Sequence, residues 1–422
     1  MKDLKKYGAI GGAIVLVAIW PLAVGQIAQK VLHDGVAKID DANLNATVVD
    51  YDRGYLSSVA TSRYKLTDPV LIEQFQIDGI PTEITVKHEI KHGLLGIDAV
   101  SKPVSMPQLP LVLYSHSQLN GNTEFNLDIA HLNFQDPNTL GGSVSVARSQ
   151  ISGKASVLGE LDYSFDFPSV QVKFDTGESL SFTEFTGSGK GKKLNGLWFG
   201  EHGANLKEIS MENPAHVSLV YGSNLNYQFA SSVTESESGS RVQTNHQIAA
   251  KAFKSGGDLI ENLNIDFTLG DLDAEAFGSL ATIFYSSGEM DNATINQSAQ
   301  HIDTLFDKGF MLSMNQMKLN LGEGVFDSKW SLAVPQGTSN VTQNIMGVIP
   351  VLTGKMDTFI SNELVDGYPA IQQGIDELVI MEMVKPVDKG YQMAAVVEDG
   401  NIVFESGQKV PLLQLLFSFF AM

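Results

Sequence analysis

Glu160-Leu161-Asp162-Tyr163-Ser164-Phe165-Asp166-Phe167 alternates without a break between polar and apolar residues. Successive side chains of a β-strand point to opposite faces. Leu161, Tyr163, Phe165 and Phe167 therefore share one face, and Asp162, Ser164 and Asp166 the other. The same two-residue period recurs at Val170, Val172 and Phe174, at Val217, Leu219 and Tyr221, at Leu225, Tyr227 and Phe229, and at Leu263, Ile265, Phe267 and Leu269. Strands of this kind in succession predict an extended, mainly antiparallel sheet. The Gly/Ser-rich runs Gly187 to Gly191 and Glu235 to Ser240 read as loops between strands.

The period becomes helical near Asp271, where Ala274, Phe277, Leu280, Ala281 and Phe284 form a stripe, and a second helix is expected from Ala293 to Phe306. Strands return at Met317, Leu319 and Leu321 and at Trp330, Leu332 and Val334. Pro369 suits the first turn of another helix, where its missing N–H is unpaired in any case. Asp399-Gly400 between two apolar runs signals a type I′ hairpin, because both central residues must accept positive φ. The apolar tail Pro411 to Met422 is too short to cross a bilayer and is expected to dock on the sheet.

Ahead of this body, Lys2, Lys5 and Lys6 precede a run from Tyr7 to Gln29 with no charged side chain. About 20 helical residues cover the ~30 Å hydrocarbon core of a bilayer, and positive flanks resist translocation. The run predicts a single transmembrane helix with its N-terminus cytoplasmic and the body outside. A cleaved signal peptide is the competing reading, since Ala23-Val24-Gly25 supplies small residues for a peptidase. Tyr7 to Val24 is longer than the apolar core of a cleavable signal, which favours retention. Ile27, Val31, Val36 and Ile39 continue at helical spacing as a stalk.

The fold class expected is therefore α+β, mostly β. Residues 1–25 form the stub and anchor, 26–45 the stalk, 46–270 a β-rich module, and 271–422 an α+β module ending in a hairpin. With 28 basic and 48 acidic residues the formal charge is −20, which disfavours a nucleic-acid partner. There is no cysteine, hence no disulfide framework and no acylation site.

His88-Glu89-Ile90-Lys91-His92 matches the H-E-x-x-H pattern of zinc proteases, in which a helix brings two histidines to one metal. Here Ile84, Val86, His88, Ile90 and His92 alternate with Glu83, Thr85, Lys87, Glu89 and Lys91. That is a strand, on which the two histidines stand about 13 Å apart at ~3.3 Å per residue and Glu89 faces away. Gly93 and Gly96 would also break a helix. An anchored hydrolase is thus the lesser alternative, and no cofactor or metal is expected.

Tyr51-Asp52-Arg53-Gly54-Tyr55-Leu56-Ser57-Ser58 resembles a Y-x-R-G-x-x-S-S segment of the YdgA-like family of bacterial envelope proteins. His92-Gly93, Trp198-Phe199-Gly200-Glu201, the run Leu269 to Ala276, and Gly407-Gln408-Lys409 resemble later landmarks of that family, in the same order. The resemblance implies an inner-membrane anchor, a periplasmic β-rich body and no assigned activity. Arg53 offers five donors to an anion, although Asp52-Arg53-Gly54 also suits a tight turn. The leading functional expectation is a non-enzymatic binding or scaffold protein of the inner membrane. Tyr163, Phe165, Tyr227, Phe229, Ile265 and Phe267 would line an apolar face for lipid or an envelope partner. The oligomeric state is left open.

Overall fold

The computed structural model describes residues 2–37, 39, 43–77, 81–135, 142–194, 197–236, 239–287 and 292–414, with the side chains of the first helix from Trp20 onward. The chain forms two compact units, Met1–Ser179 and Leu180–Met422. The period change near residue 271 falls inside the second unit, where a strand hands over to a helix.

The first unit begins with α1 (Lys2–Ala37). It continues through β1 (Leu44–Arg53), β2 (Ser57–Leu66), α2 (Pro69–Ile77), β3 (Glu83–His92), β4 (Gly96–Pro103) and β5 (Leu111–Gln118). Then come β6 (Thr123–Ile129), β7 (Leu132–Gln135), β8 (Ser143–Val146), β9 (Ser149–Ala155) and β10 (Glu160–Lys173). β1 to β6 pair antiparallel, each with the next. β6 pairs with β9 and β7 with β8 in one continuous register, so β6 with β7, and β8 with β9, each make one long strand interrupted once. β10 closes the series against both β9 and β8. The unit is thus a simple meander, and its antiparallel pairing is the one that the strand alternation predicts.

Its two faces differ. The cross-strand row Lys91, Asp98, His116, Glu124, Lys154 and Asp162 runs along one face, with signs that alternate. Asp98 accepts from His116 Nδ1 at 2.8 Å and Glu124 from Lys154 Nζ at 2.8 Å. The neighbouring row Ile90, Ala99, Ser115, Phe125, Gly153 and Tyr163 lies on the other face. There Val24 and Ala28 of α1 pack with Ala60, Ile90 and Ile97 into the buried core. The segment expected to be a stalk is therefore packed on the sheet, because its apolar stripe finds β1 to β4. The helix ends at Ala37. Among the described residues no helix is long and apolar enough to cross a membrane.

The second unit opens with β11 (Ser179–Leu194), β12 (Leu197–Glu212), β13 (Ser218–Ser236), β14 (Gly239–Ser255) and β15 (Ile260–Asp273). After α3 (Ala274–Ser287) and α4 (Asn292–Lys308) it resumes with β16 (Phe310–Leu321), β17 (Gly324–Val334) and β18 (Thr353–Ser361). α5 (Asn362–Gly367), α6 (Pro369–Ile380), β19 (Lys385–Val387), β20 (Gly390–Glu398), β21 (Asn401–Phe404) and β22 (Lys409–Pro411) complete it. From β12 to β18 every strand pairs antiparallel with its successor. β20 then joins β18, and β19 and β21 pair with β20.

Gly187 to Gly191 is part of β11, not a loop. β11 and β12 approach so closely that a Cβ on Gly191 would meet the Phe199 carbonyl at 2.2 Å, and one on Gly200 the Lys190 carbonyl at 2.1 Å. Glycine here serves backbone contact between strands. The Asp399-Gly400 hairpin has φ of 49° and 71°, as a type I′ turn requires. Pro369 opens α6. Of the apolar tail, residues 415–422 lie outside the described residues.

Candidate functional site

β3 carries the His-Glu-x-x-His run as an extended strand paired on both sides. His88 and His92 are buried on the apolar face, while Glu89 is exposed on the other and accepts from Lys87 Nζ at 3.0 Å. Each histidine is held by neighbours on its own face. His88 lies between the hydroxyls of Ser62 and Ser101, both at 2.7 Å. Burial pushes its imidazole down to about 4. His92 Nδ1 donates to the Tyr55 carbonyl at 3.2 Å, and its Nε2 meets Ser58 Oγ at 2.8 Å. No three His, Cys, Asp or Glu side chains are grouped to hold a metal ion among the described residues.

The His92-Gly93 and Arg53-Gly54 landmarks are two adjacent turns. Arg53 is the last residue of β1 and exposed, so the reversal itself begins one residue later than the sequence suggested. Gly54 N–H donates to the Ser57 carbonyl at 2.9 Å, and His92 N–H to that of Leu56 at 2.9 Å. A Cβ on Gly25 of α1 would lie 2.8 Å from His92 Cε1 and 3.3 Å from Arg53 Cδ. These landmarks therefore fasten α1 to the sheet.

Other landmarks are structural in the same sense. Asp271 has φ of 56°, and Asp273 Oδ1 accepts from the Ala276 N–H at 3.0 Å, turning β15 into α3. Arg241, buried on β14, donates to the carbonyls of Lys308 and Asp271 at 2.8 and 3.0 Å and ties the end of α4 to that corner. Gly407 has φ of 88° in the turn between β21 and β22.

The binding candidates divide between the units. Tyr163 and Phe165 stand on β10, a strand with no buried residue at all. Tyr227, Phe229, Ile265 and Phe267 stand on β13 and β15 of the second unit. There the register places His202, Phe229, His246, Phe267, Met314 and Trp330 in one cross-strand row from β12 to β17. Ring centroids are 5.8 Å apart for His202 and Phe229, 5.0 Å for Phe229 and His246, 6.4 Å for His246 and Phe267, and 6.4 Å for Phe267 and Trp330. Such spacings are those of interacting aromatic pairs. A second row, Tyr227, Ile248 and Ile265, lies beside it. Tyr227 Oη and His246 Nδ1 are hydrogen-bonded at 2.9 Å.

Burial holds His202 and His246 below the usual histidine value and Tyr227 above the usual phenol value. The face is nevertheless open: Tyr227 is 38% and Ile248 42% exposed. α3 covers it only at one end, where Val242, Leu272, Ala276 and Leu280 are buried. His202, His246 and Trp330 were not anticipated. Histidine does not register as apolar, and Gln243 to Ile248 shows no two-residue alternation. Only the aromatics on either side of β14 hint at the row.

A cavity of about 840 Å³ lies against β16, β17, β18, β20 and β21, with Lys329, Lys355, Asp357 and Glu405 lining it together with Trp330 and Phe404. It mixes charged and apolar groups and is not an extension of the aromatic row alone.

Comparison with curated proteins and with solved structures returns no match. The family described as bacterial protein of unknown function, DUF945, matches residues 4–412, nearly the whole chain, and the chain belongs to that family.

Proposed function

We propose that the chain is an envelope protein, anchored in the bacterial inner membrane by α1, whose open apolar sheet face receives the acyl chain of a lipid. The observation that carries this reading is the row from His202 to Trp330, five rings long and bordered by exposed Tyr227 and Ile248. Exposed contiguous apolar surface in a soluble body marks an interaction site. A linear run of rings suits an extended hydrocarbon, and each well-buried aromatic contributes roughly 1.5–3 kcal/mol.

The anchor draws support from the uncharged run Tyr7 to Gln29, helical as part of α1, and from the likeness to the YdgA-like envelope proteins. The part of that run ahead of Leu22, Tyr7 to Pro21, rises about 22 Å at ~1.5 Å per residue, with Lys2, Lys5 and Lys6 before it. A periplasmic body follows from the lysines before the run. The hydrolase alternative has no comparable support, since its two histidines serve serine hydroxyls and a backbone carbonyl.

The test is native mass spectrometry of the purified full chain after delipidation and incubation with one defined fatty acid. A stoichiometric adduct, reduced several-fold in Phe267→Asn, supports the reading. An adduct unaffected by Phe267→Asn, or none, overturns it.

A further inference from the structure

The strands of the first unit turn at two edges. At one edge lie the turns Gly54–Leu56, Gly93–Leu95, Leu119–Asn122 and Ser156–Gly159. None of the four contains a charged residue, in a chain of net charge −20. Their tips expose Tyr55, Leu56, Leu94, Leu95, Val157 and Leu158, with Leu95 84% and Leu158 80% exposed. The last two turns touch, since Val157 N–H donates to Asn122 Oδ1 at 3.1 Å. The opposite edge carries Asp68, Asp175 and Glu178.

α1 arrives at the uncharged edge. Between Gly25, beside His92, and Trp20, whose indole N–H donates to the Leu94 carbonyl at 2.7 Å, the helix travels toward the turn tips. Its earlier residues, uncharged from Tyr7, lie beyond those tips. Trp20 and Leu22 are exposed at this level. Tryptophan with an apolar body and a bonded N–H is the residue that membrane interfaces select.

We propose that the four turns, with Trp20 and Leu22, form an apolar collar seated in the headgroup layer of the bilayer that α1 enters. The inference rests on the anchor reading. The collar fixes the first unit upright on the membrane, with strands β1 to β10 rising from it, and its lack of charge makes seating independent of anionic lipid.

The absence of cysteine allows single labels to test this. The full chain, carrying a fluorophore at Leu95→Cys, Leu158→Cys, Val15→Cys or Val104→Cys, is reconstituted into phosphatidylcholine vesicles doped with nitroxide lipids. Val104 is also exposed, but lies at the opposite edge. The collar predicts that headgroup nitroxides quench the Leu95 and Leu158 labels several-fold more than the Val104 label, and that acyl nitroxides quench the Val15 label. If the Val15 label is quenched while those at Leu95 and Leu158 behave like Val104, the collar is wrong and the anchor stands. If the Val15 label is not quenched either, anchor and collar fall together.

Discussion

Among the described residues, His88 is the titratable group that its environment shifts most. It is buried between two hydroxyls, and its imidazole is lowered from 6.5 to about 4 by loss of water. Above pH 6.5 both folded and unfolded chains hold it neutral, and its full contribution to stability is present. Between 6.5 and 4 the unfolded chain gains a proton that the folded one refuses, so stability falls with pH by up to about 3 kcal/mol and then levels. Hydrogen exchange of the β2 to β4 amides, corrected for intrinsic rate, should show this acid limb in the native chain and lose it in His88→Gln. Gly25 is the second sensitive residue, because a methyl group there would meet the His92 ring at 2.8 Å and that ring is bonded on both nitrogens. Gly25→Ala should cost about 1–3 kcal/mol of local stability by overpacking. Faster exchange at β3 and easier proteolysis after Ala37 would register it, and unchanged rates would contradict the close approach.

At the scale of elements, the aromatic row depends on two histidines that must stay neutral to sit among rings. Burial lowers both, so at pH 7 the row is uncharged. Protonation below the ordinary histidine value near 6.5 would place a cation against the acyl chain. Fatty-acid affinity should therefore be flat from pH 8 to 7 and fall as the medium is acidified further, with His246→Gln abolishing most of that fall. A binding curve indifferent to pH in both chains would separate the ligand from this row.

Strands and helices were legible wherever one period dominated, as in β10, in β3, in α3 and at Asp399-Gly400. β11 was misjudged at Gly187 to Gly191 because glycine is written the same way in a loop and in a strand that needs close backbone contact. The register that aligns His202, Phe229, His246, Phe267, Met314 and Trp330 cannot be read from any single strand, since it is a property of the six neighbours β12 to β17 together.

At the scale of the whole molecule, the two units repeat one plan: a nearest-neighbour antiparallel meander whose apolar face is covered by helix only in part. In the first unit α1 seals β1 to β4 and leaves β10 with no buried residue. In the second, the helices after β15 seal one end of the face and leave Tyr227 and Ile248 exposed. The sequence announced the apolar faces but not their partial cover, because alternation is the same in a sealed core and an open groove. The most direct test uses a fatty acid bearing a photoreactive diazirine, added to vesicles containing the full chain, followed by irradiation and mapping of the modified peptides. Labelled residues are expected on β13 to β17 around Phe229, Phe267, Met314 and Trp330, in addition to those of α1. Labelling confined to α1 and the collar, with the aromatic row unmodified, would contradict an acyl-binding face.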